Sequence, residues 1–141
     1  MRALLYHHDV FAKHDTAPWH PERPDRLVAA TAGVRGSGLE VADREPSPAG
    51  LDVIGAVHSS DYIKKVEAFC RSGGGALDAD TVVSEDSWEA ALRSAGAGLD
   101  AVAGLRNGDG ECAFLAVRPP GHHARTSQAM GFCLFNNIAV T

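Results

Sequence analysis

A basic stripe, an arginine-rich tail, paired cysteines and a long apolar run are all missing from this 141-residue chain. The 13 basic residues against 18 acidic ones leave a formal net charge of −5, which argues against nucleic acid as a direct partner. No stretch approaches the roughly 20 apolar residues of a membrane helix, so no membrane partner is expected. The start, Met1-Arg2-Ala3-Leu4-Leu5-Tyr6, carries one charge and a short apolar run that yields at once to His7-His8-Asp9, unlike a secretory signal. Cys70, Cys112 and Cys133 are few, odd in number and far apart, so they form neither a disulfide framework nor a Cys-x-x-Cys metal knuckle. A reducing, cytoplasmic setting fits this usage, with each cysteine a compact core residue.

What the chain does contain is enough for a core, since 45% of its residues are hydrophobic and its length is within that of one domain. Ala3 to Tyr6 read as a short buried strand, and the polar, histidine-bearing stretch through His20 has no helical period and reads as a loop. Proline at Pro24 and the early acid Asp25 start a helix that Gly36 and Gly38 end. Leu39 to Val41 make a second strand, and Pro46 to Gly50 a turn. Ser59 or Ser60 caps a helix with Tyr62, Ile63, Val66, Phe69 and Cys70 on one face. Gly73-Gly74-Gly75 ends it, and without a following Lys-Ser/Thr this run is a flexible connection and not a phosphate loop. A helix from Ser84 turns Ala91, Leu92, Ala95, Leu99, Val102 and Leu105 inward and breaks at Asn107-Gly108.

Cys112 to Val117 is a continuous apolar run, the pattern of a strand covered on both faces. Directly after it come Arg118-Pro119-Pro120-Gly121-His122-His123-Ala124. Adjacent imidazoles can divide the labour of accepting and donating a proton near neutral pH, the equipment of hydrolysis. Strands separated by helices predict an α/β domain with a parallel sheet, whose ligands gather beyond the carboxyl ends of the strands. The histidine pair stands in that place. Asn136 or Asn137 then caps a helix opening Ile138-Ala139-Val140, which stops before its second turn and has no closing signal. Thr141 is therefore expected to be a truncation point.

Taken together, the Arg118 to Ala124 run and the block Gly131-Phe132-Cys133-Leu134-Phe135-Asn136-Asn137-Ile138-Ala139-Val140 resemble the core of the histone deacetylase superfamily, in its class II and acetylpolyamine amidohydrolase branch. His20-Pro21-Glu22-Arg23-Pro24 with Arg26, Val57-His58 with Tyr62, and the stretch Asp78 to Ser87 extend the likeness over nearly the whole chain. The resemblance implies a three-layer α/β/α fold of arginase and deacetylase type with a parallel sheet, here incomplete at the C-terminus. It also implies zinc-dependent removal of acetyl groups from acetyl-lysine or polyamine-type amines, with zinc polarising the carbonyl and activating water.

By the same resemblance His123 is the principal general base and acid, and His122 its electrostatic partner. Gly131 offers backbone where a side chain would obstruct substrate, and Phe132 forms an apolar wall of the acyl channel. Asp78 matches the aspartate that holds the substrate at the rim, with Asp80 giving the alternative register. Arg26 matches an arginine beneath the site; as a residue alone it reads equally as a surface helix charge.

The family's metal ligands, an Asp-x-His pair and a further aspartate, follow the tandem histidines. This chain has no aspartate after Asp109 and supplies no such set. The isolated chain is accordingly expected to be inactive. Two other readings compete: a metal-independent thiol hydrolase using Cys133 with His122 or His123 as base, and a non-catalytic half-domain that binds a partner. His7, His8 and His14 lack convergent acidic ligands, and His20 and His58 read as structural residues bonding neighbouring backbone.

Overall fold

The computed structural model describes residues 1–141. Its centre is a sheet in which β1 (Arg2–Tyr6) lies between β2 (Glu40–Arg44) and β5 (Cys112–Leu115), all three parallel. Ala3 pairs with Val41 on one side and Cys112 on the other, and Tyr6 with Arg44 and Leu115. Parallel neighbours need crossover connections, which α2 (Asp25–Arg35) and α5 (Ser87–Arg106) supply. Between them lie α3 (Leu51–Gly55) and α4 (Ser60–Arg71), and α6 (Asn137–Val140) closes the series. The α/β architecture with a parallel sheet is as the sequence predicts.

The two faces of the sheet are covered unequally. On one, Leu4 and Tyr6 pack against Ala97 and Ala101 of α5, and the Tyr6 hydroxyl donates to the Asp100 carbonyl at 3.0 Å. Small residues let this helix approach closely: a β-carbon on Gly104 would stand 2.9 Å from the Tyr6 hydroxyl. The larger core joins α3, α4, α5 and the C-terminal segment through Ile54, Tyr62, Val66, Trp88, Leu134 and Phe135. On the other face α2 has no buried residue, and an apolar groove of about 430 Å³ separates Ala29, Ala30 and Val34 from Ala3 and Phe114.

Several local expectations need correcting. The stretch read as loop before His20 contains a one-turn helix, α1 (Val10–Lys13), and α3 follows the predicted turn. Both are too short to show a 3.6-residue period. The helix placed from Ser84 begins at Ser87, because the Ser87 hydroxyl accepts from the Ser84 amide at 2.8 Å and holds a turn there. Val102, expected inward, is 42% exposed. The triple glycine leads into a two-residue antiparallel ladder of β3 (Gly75–Ala76) and β4 (Val82–Val83). Strand β5 is not covered on both faces either: Phe114 is 44% exposed beside the open groove. Ser59 is the cap of α4, accepting from the Tyr62 amide, and Asn136 the cap of α6, accepting from the Ala139 amide at 3.1 Å.

Candidate active site

Strand β5 delivers the histidine pair. Pairing with β1 continues one residue past the strand, where the Ala116 amide donates to the Tyr6 carbonyl at 2.9 Å. The chain then turns away through Arg118 to Gly121. Ser94, buried on α5, donates to the Pro119 carbonyl at 2.7 Å and accepts from the Asn137 amide nitrogen at 2.8 Å. Gly121 fits against the same Asn137, whose Cγ would be 2.1 Å from an added β-carbon. Helices α5 and α6 thus grip the loop from behind and leave its tip free. There the His122 and His123 rings lie 4.1 Å apart between centroids, inclined by 49°, and both side chains are exposed.

These rings open onto a cavity of about 610 Å³ lined also by Glu22, Arg26, Asp80, Arg118, Gly131 and Phe132. The structure therefore brings together five of the six residues singled out from the sequence: His122, His123, Gly131, Phe132 and Arg26. Asp78 does not line the cavity, whereas Asp80 does, so the alternative register is the one that reaches it. Arg26 is an exposed residue of α2 that borders the cavity.

Gly131 and Phe132 both take left-handed backbone, at φ +56 and +69. The first needs glycine, since a β-carbon there would meet His123 Cδ2 at 2.7 Å. The second is held by its surroundings: its amide donates to the buried Thr81 hydroxyl at 3.2 Å, and its ring meets His20 edge-on at 4.8 Å. His20 in turn accepts from the Glu22 amide at Nδ1 (3.1 Å) and donates from Nε2 to the Asp80 carbonyl at 2.9 Å. This is the structural role expected for it, and it ties the Phe132 ring and the Asp80 segment together. His58 is likewise a backbone partner, accepting from the Asn136 amide at 2.9 Å.

Sequence reasoning missed the floor of the cavity. Arg118 and Glu22 are buried and form a two-pronged ion pair, with Nη2 to Oε2 at 2.8 Å, while Nη1 donates to the Phe11 carbonyl at 2.7 Å. His14 stands behind Glu22, its Nε2 3.6 Å from Oε2 and its Nδ1 2.6 Å from the Ser87 hydroxyl. Burial first, then the Arg118 charge, pushes the His14 pKa down to about 3, so it is neutral. A lone glutamate between prolines gives no sign of an arginine partner so distant in the chain; the position of Arg118 within the histidine motif was the available signal. His7 instead bonds Asp43 at 2.9 Å on the surface, beside Arg35.

Cys133 is fully buried, and its sulfur contacts the His122 amide at 3.4 Å and the Gly131 carbonyl at 3.3 Å. Its bonds are to backbone and not to either imidazole, so the geometry does not favour the thiol hydrolase.

Tandem histidines thus stand at the carboxyl end of a parallel strand and face a cleft with a left-handed glycine against one ring. Comparison with known proteins is decisive about the family: the histone deacetylase domain matches residues 20–141, and the chain belongs to that family. It is 43% identical over 122 residues to a probable deacetylase of Methanothermobacter thermautotrophicus, covering 86% of this chain and 36% of that protein. It is 36% identical over 152 residues to the human polyamine deacetylase HDAC10, covering 98% and 22%. The crystal structure of the HDA15 HD domain superposes with a TM-score of 0.87 at 31% identity, over 96% of this chain and 42% of that one. The chain spans less than half the length of the curated relatives it matches.

Proposed function

We propose that these 141 residues are the N-terminal part of a single deacetylase domain, and that the whole protein hydrolyses acetylated lysine or polyamine-type amines to acetate and free amine. The observation that carries the proposal is the adjacent His122–His123 ring pair facing one cavity with Gly131 and Phe132. The substrate class is supported by the names of relatives, which include a polyamine deacetylase.

Amide hydrolysis needs a base to take a proton from the attacking water and an acid to protonate the departing nitrogen. His123, whose ring lies against Gly131, performs both steps in turn. His122, its ring centroid 4.1 Å away, is the electrostatic partner of that base. Phe132 lines the acyl channel, and the Asp80 segment borders its mouth. Zinc is the metal implied by the family, but no three His, Cys, Asp or Glu side chains of this chain converge to hold an ion. These residues alone do not fit a metal centre.

The test is His123→Ala in the protein that contains this chain. Acetate release should disappear while bound metal, measured by atomic emission, stays at the wild-type level. A near-normal rate would remove His123 from its role. The 141-residue chain supplied with zinc should show negligible turnover, and zinc-dependent hydrolysis by it would overturn the division of the site.

A further inference from the structure

Glu22 lies among the cavity-lining residues, yet neither its carboxylate nor the Arg118 guanidinium is exposed: their side chains are 4% and 3% accessible. Both oxygens of Glu22 engage the guanidinium, and the Glu22 carbonyl lies 3.4 Å from Nη2 as well. With Nη1 on the Phe11 carbonyl, the arginine is tied to α1 and to the His20–Pro24 segment at once. It stands four positions before His122, with only Pro119, Pro120 and Gly121 between.

An arginine keeps its charge at any pH a protein survives, and in a buried site that charge is weakly screened. Left alone in the wall of a cavity shared with two imidazoles that must accept a proton, it would oppose protonation. We propose that Glu22 is a positioning residue for the histidine pair: it anchors Arg118 and cancels its charge in the wall of the cavity that His122 and His123 share. The proposal rests on the reading of that pair as the proton-handling site.

The other charged groups facing the pair are Arg26 on α2 and Asp80 in the segment before β4, both at the exposed mouth of the cavity. His14 lies on the far side of Glu22 and is neutral, so the carboxylate's charge is matched by Arg118. A partner apolar in place of Glu22 would leave a buried cation uncompensated, the costly half of a broken ion pair.

The experiment follows the imidazole resonances of His122 and His123 by NMR titration of the protein that contains this chain, in wild type, Glu22→Gln and Glu22→Gln/Arg118→Gln. Gln keeps the shape of Glu22 and an acceptor oxygen for the guanidinium while removing the charge. Glu22→Gln is expected to shift both midpoints toward acid, and the double variant, which removes the arginine charge too, to return them toward wild type. Unshifted midpoints in Glu22→Gln, or the same midpoints in both folded variants, would overturn the proposal; should Glu22→Gln unfold, the double variant, which buries no lone charge, decides, with wild-type midpoints supporting the proposal and shifted ones overturning it. Turnover is a separate measurement. Its absence from the wild-type protein would sink the deacetylase reading and leave the titration result standing.

Discussion

Gly131 and His123 are in such close register that a β-carbon on the glycine would stand 2.7 Å from imidazole Cδ2 and 2.9 Å from Cγ. The left-handed backbone at φ +56 adds strain to any substitution. In Gly131→Ala either the ring or the backbone must move. We expect a loss of stability of about 1–3 kcal/mol by urea unfolding, and a fall in kcat on the order of 100-fold from a misplaced ring. An alanine variant with wild-type kcat would show that the ring's placement does not depend on this contact.

Ser94 makes a different prediction, because its hydroxyl is shared between two elements. It donates to Pro119 and accepts from Asn137, and it is 1% exposed. Ser94→Ala strands the buried Pro119 carbonyl and removes the acceptor of the half-buried Asn137 side chain, a loss of roughly 1–3 kcal/mol. Chemical denaturation should show that loss, and a variant within about 0.5 kcal/mol of wild type would mean that water replaces the hydroxyl.

The order of the main elements was legible because each left a local mark: the apolar run of β1, the Ser59 cap and one-sided face of α4, and the apolar strand that leads into tandem histidines. The motif resemblance extended this to the family and to five of the residues around the cavity. What stayed hidden depends on partners distant in sequence. Glu22 and Arg118 are 96 positions apart, and nothing near either one announces their pairing. His14 sits in polar sequence yet is 1% exposed. Conversely, the apolar character of Phe114 and Val102 reports what these side chains favour, and not whether anything covers them.

Phe114 is therefore a handle on association. It is 44% exposed beside the outer edge of β5, which pairs only with β1, and an open edge with an apolar face is a template for another chain. The 141-residue chain is expected to self-associate as its concentration rises, and Phe114→Lys to shift it toward monomer. Sedimentation equilibrium reads both. Identical association in the two proteins would place the contact elsewhere.

Acid should weaken the chain through His14. Its folded pKa is pushed down to about 3, chiefly by burial, against about 6.5 in an unfolded chain. The folded state then binds fewer protons than the unfolded state between these values, so stability rises with pH across that window. The contribution is complete above about pH 6.5 and is lost progressively as pH falls, at roughly 1 kcal/mol per unit. His58, also lowered by burial, acts in the same direction. Replacing His14 with Gln removes the titrating group and leaves a side chain able to bond the Ser87 hydroxyl. Urea midpoints measured from pH 7.5 to pH 4.5 should fall less steeply in His14→Gln than in wild type, and parallel slopes would show that His14 gains its proton without unfolding the floor of the cavity.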